Sequence, residues 1–351
     1  MKKILKYFMA AVMICSFTAC NKDDNKTNGN PVKPETYDMT GFARGADVSW
    51  LTEQEAKGKK FFDANGNETE CLQLLRSLGV NAIRLRVWVN PENYYCSKQD
   101  VIVKAWRAHN LGFRLMIDFH YSDTWADPGS QTPPAAWASY NLDEMKQAVA
   151  DHTKDVLQAL KDKNIDVEWV QVGNETRTGM LKPLGATSSS SYTNFAALVT
   201  AGYDAVKSVY SNAKVIVHLD QGEVLGRFTA MFDGLKAANA KWDVIGMSLY
   251  QPNDVNDMMS WEDKANNCLN NIKQLVSKYN KEVMICEIGC NWNADYGEQF
   301  ISKVMNGCKN INGCLGVFYW EPQCYGGWSG YAKGAFDDSG KPTAIMNAFA
   351  R

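Results

Sequence analysis

Two glutamates in this chain stand where a carboxyl pair could do acid–base and nucleophilic work. Glu175 follows Val170-Gln171-Val172-Gly173-Asn174, and Glu287 follows Val283-Met284-Ile285-Cys286. Breaking a glycosidic bond requires such a pair: one carboxyl protonates the leaving oxygen, and the other attacks the sugar or activates water. One glutamate after an apolar run is as readily half of a structural ion pair. Two of them, the first preceded by Asn174, at matched positions in a regular series of runs, fit a catalytic pair better.

The series is what must hold them. Apolar runs occupy residues 41–50, 81–89, 113–120, 167–173, 214–219, 244–249, 282–288 and 314–320, and several are nearly continuous in Val, Ile, Leu and Phe. Strands buried on both faces read this way. Between them lie helical patterns over residues 68–78, 143–163 and 192–210, the first stopped by Gly79. Eight strands alternating with helices predict an α/β fold, a (β/α)8 TIM barrel in one catalytic domain over residues 41–351. Glu175 ends the fourth strand and Glu287 the seventh, on opposite sides of the barrel mouth.

Active sites of such barrels lie at the C-terminal ends of the strands. Those ends carry Asp47, Arg84, Arg86, Trp88, Asp118, His120, Asn174, His218, Asp220, Tyr250, Trp320 and Glu321. No Gly-rich phosphate loop follows the first strand, which argues against a doubly wound nucleotide fold. Of the four histidines, His109 and His152 sit in helical patterns and read as structural, whereas His120 and His218 end strands three and five. No His-x-x-x-His or Cys-x-x-Cys pair appears, so neither a metal nor another cofactor is expected.

The placing of Asn-Glu on strand four and Glu on strand seven is similar to clan A of the glycoside hydrolases. The motifs Gly45-Ala46-Asp47-Val48-Ser49, Arg84-Leu85-Arg86-Val87-Trp88 and the long run Asp118-Phe119-His120-Tyr121-Ser122-Asp123-Thr124-Trp125-Ala126-Asp127-Pro128-Gly129 narrow it. With Gly173-Asn174-Glu175-Thr176 they resemble glycoside hydrolase family 53, the endo-β-1,4-galactanases, from about residue 41 onward. The resemblance implies a retaining enzyme that cleaves internal β-1,4-galactosidic bonds in galactan and type I arabinogalactan. It implies Glu175 as acid/base, Glu287 as nucleophile and Asn174 on the sugar 2-hydroxyl. Arg84 or Arg86 would keep Glu287 ionised, and Tyr250 would donate to it. Asp47, His120, Trp125, His218 and Trp320 would line the sugar sites. Some bacterial relatives bind calcium in a long loop after strand eight; residues 321–342 are shorter here, and calcium does not carry over.

Composition sets the surroundings. Thirty-seven Lys and Arg against 39 Asp and Glu leave a formal charge of −2, with no basic footprint for nucleic acid. Eleven Trp, 15 Tyr and 14 Phe can stack on sugar rings, although most must fill the core. Lys2, Lys3 and Lys6 before a short apolar run ending at Thr18-Ala19-Cys20 look like a lipoprotein signal peptide over residues 1–20, with Cys20 lipidated. The polar segment 21–40 is then a linker. The expectation is an exported monomer, anchored to the bacterial outer membrane at the cell surface. Eight cysteines remain outside the leader, and the pair flanking a short Asn/Gly-rich turn, Cys308 and Cys314, is the first candidate for a disulfide. Two alternatives stay open: a clan A hydrolase of β-mannan or β-glucan, and a non-catalytic glycan-binding lipoprotein.

Overall fold

Each of the eight apolar runs becomes a strand in the computed structural model, which describes residues 37–188, 191–251 and 257–350. They are β1 (Ala43–Asp47), β2 (Ala82–Val87), β3 (Arg114–Phe119), β4 (Trp169–Val172), β5 (Lys214–Leu219), β6 (Val244–Gln251), β7 (Glu282–Cys290) and β8 (Cys314–Trp320). All pair in parallel and in chain order, and β8 closes on β1. Among the described residues eight α-helices cover the outside: α1 (Leu51–Ala56), α2 (Cys71–Ser77), α3 (Lys98–Asn110), α4 (Leu142–Lys161), α5 (Thr193–Val209), α6 (Leu225–Ala237), α7 (Trp261–Tyr279) and α8 (Gly297–Lys309). The leader, the linker as far as residue 36 and Cys20 lie outside the described residues.

Local chemistry explains the boundaries. Asn141 and Glu144 form a reciprocal capping box that starts α4, and Ser97 and Ser260 accept backbone N–H groups at the starts of α3 and α7. Gly79, just past α2, sits at φ +100°, and a Cβ there would lie 2.1 Å from the Phe349 carbonyl oxygen. Only glycine satisfies both the left-handed turn and that approach. The expected runs overshoot several strands by one to three residues, whereas β6 and β7 run two residues beyond theirs.

Strand alternation sorts the side chains into two apolar layers. Ile83, Leu85 and Val87 of β2 and Val170 and Val172 of β4 face the helices. Ala43, Ala82, Met116, Trp169, Ile216, Val244, Met284, Cys286 and Phe318 face inward and plug the barrel floor. Phe318 lies against β1, where a Cβ on Gly45 would meet its ring at 2.1 Å. The inward positions above this plug are Asp47, Arg84, Asp118, Gln171, His218 and Ser248, a polar layer at the barrel mouth.

The expected Cys308–Cys314 disulfide is not formed. All eight cysteines of the described residues are free and buried. Cys308, near the end of α8, and Cys314, at the start of β8, meet as hydrogen-bonded thiols within the apolar layer, and that contact together with burial pushes the Cys308 thiol well up. Their packing behaves as that of small apolar side chains.

Candidate active site

The polar layer is organised by Arg84. Its Nη1 reaches Asp47 Oδ2 at 2.8 Å and Glu287 Oε1 at 3.0 Å. Its Nη2 donates to Asp118 Oδ2 and Asn174 Oδ1, both at 2.9 Å, and its Nε donates to Gln171 Oε1 at 3.0 Å. Four hydrogen bonds and the Glu287 ion pair thus surround the guanidinium, the kind of partnering a fully buried arginine requires. Burial alone would raise Asp118, but Arg84 and the His120 ring outweigh it and lower its pKa.

Glu287 reaches this layer through a break in alternation. Met284 pairs with Gly246, Ile285 with Met247, and then Glu287 with Ser248, so Cys286 is extra. Cys286 belongs to the barrel floor, while Ile288 packs among the outer apolar residues. In a regular strand Cys286 and Glu287 would face opposite ways; this bulge lets both point inward. Tyr250 then donates its hydroxyl to Glu287 Oε2 at 2.7 Å.

Glu175 is placed by a turn instead. After β4 the chain passes Gly173 at φ +85° and sets Glu175 itself at φ +47°. Gln131 Nε2 donates to the Asn174 carbonyl at 2.8 Å, and Asn174 Nδ2 donates to the Ala126 carbonyl at 2.8 Å, pinning the turn. Ser248 donates to Glu175 Oε1 at 2.6 Å. Tyr121, Gln221 and Glu321 also have positive φ beyond β3, β5 and β8. Such positions cost about 1–2 kcal/mol each for residues with a Cβ, and here they ring the barrel mouth.

The two carboxyls are treated unequally. Burial and the neighbouring Glu287 charge raise Glu175 well above the ordinary range, with Ser248 pulling the other way. Burial raises Glu287 to about 7, held there by opposition from Arg84 and Tyr250. One proton is thus shared unevenly and resides on Glu175, the carboxyl without a cation in contact.

Both glutamates face a cleft of about 340 Å³. His120, Trp125, Asn174, Tyr250 and Trp320 also line it. Asp47 and His218, expected at the sugar, and Arg84 and Arg86, expected beside Glu287, lie beneath its surface. Asp47, Arg84 and His218 are fully buried, Arg86 nearly so, and each orients a neighbour. Arg86 does not reach Glu287: its Nη1 binds Glu321 Oε1 at 2.9 Å, and its guanidinium carbon sits 4.2 Å from the Trp125 ring centre. Of the two arginines left open by the sequence, Arg84 is the one that touches Glu287. Trp320 packs against Trp50 at 5.1 Å and Tyr331 at 4.7 Å, forming one aromatic wall with Trp125. Ser248, Gln171 and Glu321 were assigned no role from the sequence. A serine within the apolar run Met247-Ser248-Leu249 carries no signal of its own until the strand's inward face is known.

A parallel barrel whose strand ends present two glutamates of unequal proton affinity to an aromatic-lined cleft is the architecture of a glycoside hydrolase. The model for glycosyl hydrolase family 53 matches residues 43–300. An arabinogalactan endo-β-1,4-galactanase A of Emericella nidulans is 33% identical over 310 residues, covering 81% of this chain and 85% of that one. An endo-β-1,4-galactanase of Bacillus subtilis is 30% identical over 365 residues, 92% of this chain and 82% of that one. A solved fungal β-1,4-galactanase superposes with a TM-score of 0.80 at 27% identity, over 89% of this chain and 100% of that one. The chain belongs to glycosyl hydrolase family 53 and is a glycoside hydrolase.

Proposed function

We propose that the enzyme hydrolyses internal β-1,4-galactosidic bonds in galactan and type I arabinogalactan with retention of configuration. The observation carrying the reaction is the unequal pair, with Glu175 protonated and Glu287 held by Arg84 and Tyr250. The sugar rests on the names of the fungal and Bacillus relatives. In the first step a Glu287 oxygen bonds to the anomeric carbon as the bond to the leaving oxygen breaks, and Glu175 gives that oxygen its proton. In the second, Glu175 takes a proton from water, the water oxygen bonds to the anomeric carbon, and the Glu287 ester bond breaks.

In this reading Asn174, which lines the cleft, binds the 2-hydroxyl, where a hydrogen bond strengthens as the oxocarbenium character grows. Trp125 and Trp320 supply flat surfaces for sugar faces. Reducing-sugar release from galactan, β-mannan and cellulose, with the anomer of the first product read by NMR, tests the reading. Release from galactan as a β-anomer is the expected result. Cleavage of mannan or cellulose alone overturns the substrate, and binding without cleavage of any of the three overturns catalysis. Glu287→Gln should bind galactan and not turn it over.

The proposal extends to location. Residues 1–20 read as a lipoprotein leader, which supports an exported enzyme tethered through Cys20 and residues 21–40. Radiolabelled palmitate incorporated into the wild-type chain and lost in Cys20→Ala is the expected result, and unlabelled wild-type protein overturns the anchor.

A further inference from the structure

The mechanism asks Glu175 for a proton at one oxygen only, the one facing the leaving group. The side chain offers two. Ser248 Oγ lies 2.6 Å from Oε1, and no protein group among the described residues binds Oε2 of this cleft-lining residue. Behind Ser248, which is buried, His218 Nε2 lies 2.8 Å from the same hydroxyl. The direction of each hydrogen bond decides what the pair does.

Gln171 fixes that direction. Its Oε1 accepts from Arg84 Nε, so its other terminal atom is the amide nitrogen, a donor only. That nitrogen gives one hydrogen to Asp118 Oδ1 at 2.8 Å and has the other for His218 Nδ1 at 2.9 Å, and the Glu175 backbone N–H points at the same ring atom at 3.4 Å. Asn174 Oδ1 is also 2.9 Å from Nδ1, but it already accepts from Arg84 Nη2 at 2.9 Å and faces Gln171 Nε2 at 3.2 Å. With two donors aimed at Nδ1, the ring proton belongs on Nε2. His218 then donates to Ser248, which leaves the serine proton for Glu175 Oε1.

We propose that His218 and Ser248 are positioning residues for the acid/base: their directed relay reserves Oε1 of Glu175 as an acceptor, so the catalytic proton is carried on Oε2, toward the leaving oxygen. The ring need not be charged for this. Burial and the charge of Arg84 hold His218 neutral, with Asp118 opposing and the His120 ring adding to the effect. The charged neighbours of Glu175 itself are Glu287, Asp220 and Arg84.

The test compares leaving groups and rests on the galactanase reading only for its choice of sugar. Phenyl β-galactobioside needs its leaving oxygen protonated, whereas a dinitrophenyl group departs without help. A positioned acid contributes about 10²–10⁴-fold where proton transfer matters, and a misplaced one forfeits part of that. In Ser248→Ala, kcat/KM for galactan and the phenyl substrate should fall about tenfold to hundredfold, with the dinitrophenyl substrate nearly unaffected. The alkaline limb of the pH profile should move upward, because the carboxylate loses a donor. Ser248→Thr, which keeps the hydroxyl, should recover most of the loss. Equal losses on both leaving groups, or no loss on either, overturn the relay. If the wild-type enzyme ignores both galactosides, the substrate reading fails instead, and the same leaving groups on the sugar it does cleave decide the relay.

Discussion

Ser248 and Tyr250, two residues apart on β6, hand their hydroxyls to different carboxyls: Ser248 to Glu175 at 2.6 Å and Tyr250 to Glu287 at 2.7 Å. One face of one strand therefore addresses both halves of the reaction, and side-chain alternation sets the spacing. The arrangement couples the two glutamates sterically as well as electrostatically, since any slip of β6 would misplace both donors together.

Tyr250→Phe removes the donor to Glu287 while keeping the ring. The hydroxyl lowers the pKa of Glu287, which stands at about 7, so its loss moves that pKa up. The acid limb of kcat/KM follows Glu287 protonation and should shift to higher pH, with kcat down about 10²-fold, as for removal of a single catalytic hydrogen-bond donor. A pH–rate profile checks this; an unmoved acid limb would show that Tyr250 does not tune Glu287.

Glu175→Gln should be inactive on galactan and more stable at alkaline pH. The folded-state pKa of Glu175 is raised, so its stabilising share is complete below the unfolded value of about 4.3 and is lost as pH rises toward the folded one. Glutamine cannot ionise and escapes that loss. Melting curves should coincide near pH 4 and separate by roughly 2–4 °C or more by pH 8, for each kcal/mol of carboxylate desolvation relieved. Curves that stay superimposed across the range refute the assignment.

Arg86 and Glu321 form a second buried pair under the aromatic wall, and Glu321 also accepts from the Trp50 backbone N–H and from Gln323 Nε2. Arg86→Met leaves that carboxylate unpaired and should lower unfolding free energy by roughly 3–5 kcal/mol. Adding Glu321→Gln should return part of it, as a double-mutant cycle in denaturant would measure. Additive losses would mean the two side chains act independently.

All eight cysteines of the barrel are buried thiols. A thiol reagent should find none of them accessible in the native enzyme and all eight after unfolding without reductant. Recovery of six, with Cys308 and Cys314 missing, would restore the disulfide expected from the sequence.

The barrel was legible because its strands are buried on both faces and announce themselves as uninterrupted apolar runs. Glu175 and Glu287 were legible by counting those runs. What lay beyond reach depended on the direction of side chains. Period-two alternation places Glu287 outward if Cys286 is inward, and no local residue type advertises the bulge that reconciles them. Arg84 and Arg86 are both inward and look interchangeable in sequence. Their partners differ because one projects over the polar centre and the other lies under Trp125. His218 was expected at the sugar because it ends a strand, but it is fully buried, with Gln171, Asn174 and Ser248 against its ring nitrogens.

The extra residue at Cys286 also bears on how this family can change over time. Losing that single codon would place Glu287 at the inward position after Met284 and keep Ile288 outward, so alternation would become regular with the carboxylate still on the barrel side. The thiol in the floor would disappear, not the orientation of the nucleophile. A lineage could therefore shed the extra residue without turning its carboxylate out of the barrel. Drift toward a barrel that only holds polysaccharide has to proceed by substituting a glutamate outright.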